Sequence, residues 1–143
     1  MRLVLRWLAV LFPLLGIFVA WYLTLEHYGY VILPCPAHAS FIDCGQVLHG
    51  RYAVLFGMPL ALLGLIFYIA ETGIALYAHI HNNYIGKLLL SVFSAGGFLF
   101  SLYLLFLQIF VIRAICLYCM ASAFISIFEA VVVCMIFING KHA

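Results

Sequence analysis

The chain has 143 residues, of which 69% are hydrophobic and only 7% are charged. A soluble domain carries about 25% charged residues, and a disordered chain combines low hydrophobicity with high charge, so the composition excludes both classes. Six Lys and Arg against four Asp and Glu give a net charge of only +2, which excludes a basic nucleic-acid surface. The composition predicts an integral membrane protein.

Four apolar stretches are long enough to cross a bilayer, which takes about 20 residues of helix. In chain order they cover residues 3–25, 58–80, 88–110 and 115–138. Short connections join the last three stretches, whereas residues 26–57 form one long loop. The pattern predicts an all-α membrane protein in which residues 1–143 form a single domain, a bundle of four transmembrane helices.

Basic residues predict the orientation of the first span and of the whole bundle. A cleaved signal peptide has a shorter apolar core and a small-x-small site, so we interpret residues 3–25 as an uncleaved helix. Cytoplasmic segments carry an excess of Lys and Arg. This favours cytoplasmic termini, with Arg2, Arg6, Lys87 and Lys141 inside and Arg51 and Arg113 outside.

Four of the five cysteines fall at the outer face in this topology. Cys35 and Cys44 lie in the long loop, and Cys116 and Cys119 form a CxxC motif where the fourth span begins. Residues three apart share a helix face, and a helix N-terminus stabilises a thiolate. The CxxC motif therefore predicts a pair that cycles between dithiol and disulfide.

Two other interpretations of the cysteines remain open at this point. They are buried thiols that pack as small hydrophobic side chains, or a zinc site with four cysteine ligands. The eight-residue gap between Cys35 and Cys44 is long for a zinc knuckle, and the histidines are scattered, so we expect no metal. Cys134 lies 18 residues beyond Cys116, about 27 Å along a helix, so we expect it only to pack in the bundle.

The sequence resembles the vitamin K epoxide reductase family. The resemblance rests on the two loop cysteines, on Tyr52–Pro59 leading into Leu62-Leu63-Gly64-Leu65, and on Cys116-Leu117-Tyr118-Cys119 opening the last helix. It covers about residues 35–122, and the four-span layout covers the whole chain. The chain looks like a stand-alone microbial-type homologue without a fused thioredoxin domain.

The resemblance implies an electron relay through catalytic residues Cys35, Cys44, Cys116 and Cys119. A thioredoxin-like partner, acting in trans, attacks the loop disulfide at Cys35, and Cys44 then exchanges with Cys116. Cys119 faces a membrane quinone, ubiquinone or menaquinone, and passes electrons to it. The implied result is disulfide formation in exported proteins, at the extracytoplasmic face of the cell inner membrane.

The resemblance also suggests how the loop and the pocket are built. Asp43 is expected to cap a short loop helix that begins at Cys44, and residues 52–56 to cap a quinone pocket. The expected quinone-binding residues are Leu60, Met120, Ala123 and Phe56. In animal enzymes an Asn and a Tyr donate hydrogen bonds to the carbonyls of the naphthoquinone, and this chain has Leu60 and Ala123 at those positions. Gly50 stands where the family commonly has Ser or Thr. The absence of both donors at Leu60 and Ala123 favours a quinone over vitamin K epoxide as the substrate, with His49, Arg51 or a backbone N–H as alternative donors.

Two acidic residues, Glu71 and Glu129, fall inside predicted spans. Glu71 lies 13 residues past Met58 and Glu129 lies 13 residues past Cys116, each at the outer start of its helix, so both are expected at similar depth. Placing a carboxyl group in a membrane costs free energy, and such groups usually face protein. We therefore expect both to be uncharged and to form a polar contact between helices. A role in proton movement is the alternative.

Two other functions compete with the relay. Disulfide-bond formation protein B is also a four-helix quinone reductase, but its CxxC typically belongs to the first outer loop, the reverse of the order found here. A four-span scaffold or metal-binding protein with a structural disulfide is the other candidate. It predicts cysteines that do not change redox state.

Overall fold

The computed structural model describes residues 1–32, 34–35 and 41–141, with Lys141 described by its backbone alone. Lipid offers no hydrogen-bond partners, so an apolar chain in a membrane satisfies its backbone groups within helices. In chain order the helices are α1 (Arg2–His27), α2 (Cys44–Leu48), α3 (Leu60–His81), α4 (Tyr84–Phe106) and α5 (Leu117–Lys141). A π-helical segment, Leu107–Ile112, extends α4.

Within the described residues, four helices are long and apolar enough to cross a membrane: α1, α3, α4 with its extension, and α5. The predicted all-α bundle of four spans is therefore confirmed, and the chain is a multi-pass membrane protein. Helix α1 contacts α3 and α5, and α4 contacts the same two helices, so the four spans form a closed ring.

Two spans begin two residues later than the apolar pattern predicts. Met58–Pro59 (β2) pairs with Val54–Leu55 (β1) in an antiparallel hairpin, so α3 begins only at Leu60. Ile115 forms a backbone bridge to the long loop, so α5 begins only at Leu117. A short apolar run cannot be assigned to strand or helix by periodicity alone, which explains both differences.

Two glycines allow the helices to approach closely. A side-chain carbon at Gly16 would lie 2.5 Å from the Tyr68 ring, and one at Gly97 would lie 2.7 Å from the Phe67 ring. Both distances are shorter than carbon atoms tolerate, so only glycine fits without a shift of the ring. Small residues of this kind are typical of helix interfaces in lipid.

The long loop folds over one end of the bundle, where α1 ends and α5 begins. We call this the thiol end. Helix α2 begins at Cys44, and the Asp43 side chain accepts a hydrogen bond from the Gln46 N–H at 3.0 Å. The predicted short helix and its Asp43 cap are therefore confirmed. At the other end of α2, the Leu48 carbonyl accepts a hydrogen bond from His27 Nδ1 at 2.9 Å, which ties α2 to the end of α1.

Candidate active site

All four cysteines of the predicted relay lie in one cluster at the thiol end. Cys44 and Cys116 are buried within it, and Cys35 and Cys119 pack against it. Cys35 and Cys44 form a disulfide, whereas Cys116 and Cys119 are free thiols. The cluster therefore brings an oxidised pair from the loop against a reduced pair at the start of α5.

Backbone and side-chain bonds hold the loop against the start of α5. The Ile115 N–H donates to the Phe41 carbonyl at 2.8 Å, and Ile42 pairs with Ile115 in a parallel bridge. The bridge lies two residues before Cys44 and one residue before Cys116. The Tyr118 hydroxyl donates to the Pro34 carbonyl at 3.3 Å, beside Cys35. Residues beside each cysteine pair are thus bonded to residues beside the other pair.

The cysteines differ in their access to solvent. Cys35 is half-buried, whereas Cys44 is 4% exposed and Cys116 is fully buried. A thiol outside the protein can therefore reach Cys35 more easily than Cys44, and it cannot reach Cys116 directly. Reduction of Cys116 from outside requires a sulfur already within the protein, and Cys44 packs in the same cluster.

The Cys116 thiol is activated by its position. A hydrogen bond from the Cys119 thiol lowers the pKa of Cys116 to about 7, although burial acts in the opposite direction. The backbone N–H groups of Cys119 and Tyr118, at the start of α5, lower the pKa further. The lowered pKa increases the thiolate fraction of Cys116 near neutral pH, and the thiolate is the nucleophile in disulfide exchange.

Gln108 is a site residue that the sequence patterns did not reveal. It lies on the π-helical segment, is 4% exposed, and its Oε1 accepts a hydrogen bond from the Cys116 N–H at 3.1 Å. Single-turn π-helical segments occur frequently at functional sites. A polar side chain in an apolar span was the available signal, but the helix type that aims it at Cys116 is not visible in the sequence.

An apolar cavity of about 350 Å³ lies next to the cluster. Helices α1, α3 and α4, α2 of the loop, and α5 all contribute to its lining, and Cys119 is part of that lining. Gly64 and Gly96 also line it, and a side-chain carbon at either would meet open space. The polar lining groups include His27, Tyr68, Gln108, Ser122 and Ser126.

The predicted quinone-binding residues fall in two places. Leu60 and Ala123 line the cavity, but Met120 and Phe56 are not among the lining residues. Phe56 is 94% exposed, since it occupies the tip of the hairpin, where Phe56 and Gly57 both have positive φ. A two-residue turn of this type directs its side chains away from the paired strands. Tyr52 and Ala53, just before the hairpin, do line the cavity.

Below the cavity, helices α3 and α5 share a polar column. The Tyr68 hydroxyl donates to the Ser122 carbonyl at 3.0 Å and lies 2.9 Å from the hydroxyls of Ser122 and Ser126. Glu71 and Glu129 follow, 2% and 1% exposed, with their carboxyl groups facing each other. The expected polar contact between two helices at similar depth matches this placement.

Cys134 lies apart from the cluster, as its sequence distance requires, but its side chain is exposed. The expectation that it packs within the bundle is wrong. The sequence separation fixes the distance of Cys134 from Cys116, but it does not fix which side of α5 the neighbouring helices cover. Among the described residues, no group of three His, Cys, Asp or Glu could hold a metal ion.

Comparison with known proteins decides the family. The sequence profile of the vitamin K epoxide reductase family matches residues 7–134. The chain belongs to the vitamin K epoxide reductase family. No curated protein sequence matches it. Membership in the vitamin K epoxide reductase family confirms the resemblance and the all-α membrane fold, and it supports an oxidoreductase role in thiol–disulfide chemistry related to quinones.

Proposed function

We propose that the protein is a quinone-dependent thiol–disulfide oxidoreductase that carries electrons from a thioredoxin-like partner to a membrane quinone. One observation carries the proposal: two cysteine pairs lie in one buried cluster, and Cys119 of the second pair lines an apolar cavity. The proposal places the thiol end at the extracytoplasmic face of the cell inner membrane, with cytoplasmic termini. There it promotes disulfide formation in exported proteins.

The first exchange takes place at the half-buried Cys35. A thiolate of the partner attacks the Cys35 sulfur, which breaks the Cys35–Cys44 bond and leaves Cys44 as a thiolate. The second thiol of the partner then attacks the mixed disulfide. This releases an oxidised partner and a Cys35 thiol, so two electrons have entered the loop pair. The greater burial of Cys44 supports Cys35 as the entry point.

The second exchange is internal and requires the Cys116–Cys119 pair in its disulfide form. The Cys44 thiolate attacks the Cys116 sulfur, which forms a Cys44–Cys116 disulfide and releases Cys119 as a thiolate. Cys35 then attacks Cys44, which restores the loop disulfide and releases Cys116. Once Cys119 has taken up a proton, its thiol donates to Cys116 and lowers the pKa of Cys116 to about 7, which makes Cys116 a good leaving group.

The cavity fits a quinone head group. Its volume of about 350 Å³ lies within the usual range of ligand pockets, about 300–1,000 Å³, and its apolar lining with few polar groups is typical of them. Leu60, Ala123 and Cys119 would contact the ring. A bound quinone supplies a two-electron, two-proton acceptor, which balances oxidation of the two thiols to a disulfide. The absence of a Tyr at Ala123 and of an Asn at Leu60 favours a quinone over the epoxide.

Pairwise trapping tests the order of the relay. The Cys35→Ser/Cys119→Ser protein retains only Cys44 and Cys116 of the four, and mild oxidation of its membranes should produce a Cys44–Cys116 disulfide, detected by mass spectrometry. The matched control, Cys35→Ser/Cys116→Ser, retains Cys44 and Cys119 and should produce far less. Equal yields from the two proteins, or none from the first, would contradict the proposed order.

A further inference from the structure

Gln108 is the polar side chain that joins the cavity to the CxxC motif. It lies on the π-helical segment that ends α4, eight residues before Cys116. It lines the cavity together with Cys119. It is 4% exposed, and its one described hydrogen bond is to the Cys116 N–H, at 3.1 Å. Burial of a polar side chain in a membrane costs free energy, so its presence here indicates a functional role.

The chemistry of the amide fixes the orientation of Gln108. A backbone N–H can only donate, so the atom that faces Cys116 must be the carbonyl oxygen, and the NH₂ group must occupy the other position. In the described part of the chain this NH₂ group makes no hydrogen bond to protein. An amide whose oxygen accepts a hydrogen bond is polarised and becomes a better donor.

Four other polar side chains of the cavity, those of Tyr68, Ser122, Ser126 and His27, are already engaged in hydrogen bonds. The Tyr68 hydroxyl bonds to Ser122 and Ser126 on α5. Since a carbonyl can only accept, His27 Nδ1 carries the proton that the Leu48 carbonyl receives, and that donor is used. Among the described residues, the Gln108 NH₂ group therefore has no protein partner, while Oε1 of the same side chain is bonded to the Cys116 N–H.

We propose that Gln108 binds the quinone, its NH₂ group donating to a quinone carbonyl while its Oε1 holds the Cys116 backbone in place. This inference rests on the proposed quinone reductase function and assigns a residue to it. Gln108 thus donates the hydrogen bond to the quinone carbonyl that the apolar side chains of Leu60 and Ala123 cannot donate. It also positions Cys116 for exchange with Cys44.

Two substitutions separate the two roles. Gln108→Met has a similar shape but neither donates nor accepts, whereas Gln108→Glu accepts from the Cys116 N–H and, at an alkaline pH at which its carboxyl group is ionised, donates nothing. Ser94→Ala is the matched control, since Ser94 is buried on the same helix and is not among the cavity-lining residues. Binding of a short-chain ubiquinone is measured by thermal shift in the inactive Cys119→Ser background. Steady-state KM and kcat are measured with Cys119 restored.

We expect both Gln108 variants to bind the ubiquinone about tenfold more weakly, the effect of one lost hydrogen bond, with a matching rise in KM. Only Gln108→Met should also slow formation of the Cys44–Cys116 disulfide in the Cys35→Ser/Cys119→Ser protein, where no quinone is needed. Ser94→Ala should leave both readouts unchanged. Gln108 variants that bind ubiquinone like the parent would overturn the inference and leave the proposed function standing. A parent protein that neither binds nor reduces ubiquinone would overturn the proposed function itself.

Discussion

The thiol cluster and the Glu71–Glu129 pair are both buried polar sites between helices, yet they differ in access. The thiol cluster is reached from solvent through the half-buried Cys35 and from the cavity through Cys119. The carboxyl pair lies ten residues below Cys119 on α5, about 15 Å along the helix. Neither acid lines the cavity, and both are at most 2% exposed.

The comparison shows that burial alone does not make a polar site reactive. Cys116 is fully buried, but it has a neighbouring sulfur to exchange with and a lowered pKa. The two carboxyl groups face each other, and no other hydrogen-bond partner of Glu129 is found among the described residues. We therefore assign chemistry to the thiol cluster and helix association to the carboxyl pair.

The largest expected effect is from removing the sulfur that lines the cavity. Cys119→Ser should reduce quinone-dependent oxidation of a thioredoxin-like substrate to background. Transfer of two electrons to the quinone requires Cys116 and Cys119 to form a disulfide, and Cys116 alone cannot form one with Ser. Cys134→Ser is the matched control and should retain full activity, since Cys134 is exposed and remote from the cluster. Turnover in isolated membranes measures both. Activity retained in Cys119→Ser would place the electron exit elsewhere.

The next effect is a dependence on pH. With the loop pair oxidised and the CxxC reduced, the internal exchange runs in reverse: the Cys116 thiolate, from a thiol whose pKa is about 7, attacks Cys44 and releases Cys35. The exchange rate should fall about tenfold per pH unit below that value and level off above it, as the thiolate fraction does. Rapid acid quench followed by mass spectrometry of the Cys44–Cys116 species measures the rate.

Cys119→Ala and Cys119→Ser provide the control for the cause of this dependence. The Cys119 thiol is the main cause of the lowered pKa of Cys116, so Cys119→Ala should move the midpoint upward, towards that of an ordinary thiol. Cys119→Ser keeps a hydrogen-bond donor and should move the midpoint less. An unchanged midpoint in Cys119→Ala would assign the activation to the helix N-terminus instead.

A smaller effect is expected at the cap of α2. The Asp43 side chain satisfies the Gln46 N–H, and loss of such a cap costs about 1 kcal/mol, or about a fivefold increase in local opening. Asp43→Ala should therefore increase the rate at which dithiothreitol reduces Cys35–Cys44 by about that factor. Asp43→Asn preserves a cap and should behave like the parent. Equal rates for all three proteins would show that α2 does not protect the disulfide.

The smallest effect is expected at the carboxyl pair. Glu71→Gln/Glu129→Gln keeps the shape and the hydrogen-bonding capacity of both side chains, so turnover should stay within about twofold of the parent and its pH profile should not move. Quinone reduction takes up two protons, and a shifted profile or a large loss of turnover would instead give these acids a role in proton movement.

The parts of the site that sequence predicts are those set by local spacing. The CxxC at a helix start, the Asp43 cap and the span count follow from patterns of a few residues, and each is found in the structure. The hairpin at Met58–Pro59 and the exposed Phe56 were not predicted, because apolar residues suit a strand, a helix or a turn tip exposed to lipid equally well.

Gln108 illustrates the other limit of sequence patterns. Its role depends on the π-helical segment and on the reversal at Arg113, whose φ is +55°. Both are tertiary features, since a left-handed non-glycine residue is rare and is maintained by its surroundings. The exposure of the Cys134 side chain is likewise a tertiary feature. Several sides of α5 are apolar, and the neighbouring helices decide which of them meets lipid.

The redox state of the CxxC in membranes tests the central claim most directly. Membranes containing the protein are reduced, washed and incubated with or without a short-chain ubiquinone, and free thiols are then alkylated and counted by mass spectrometry. We predict that ubiquinone converts Cys116 and Cys119 from alkylated thiols to a disulfide, and that Cys119→Ser abolishes the conversion. Four cysteines whose state is the same with and without ubiquinone would contradict the account.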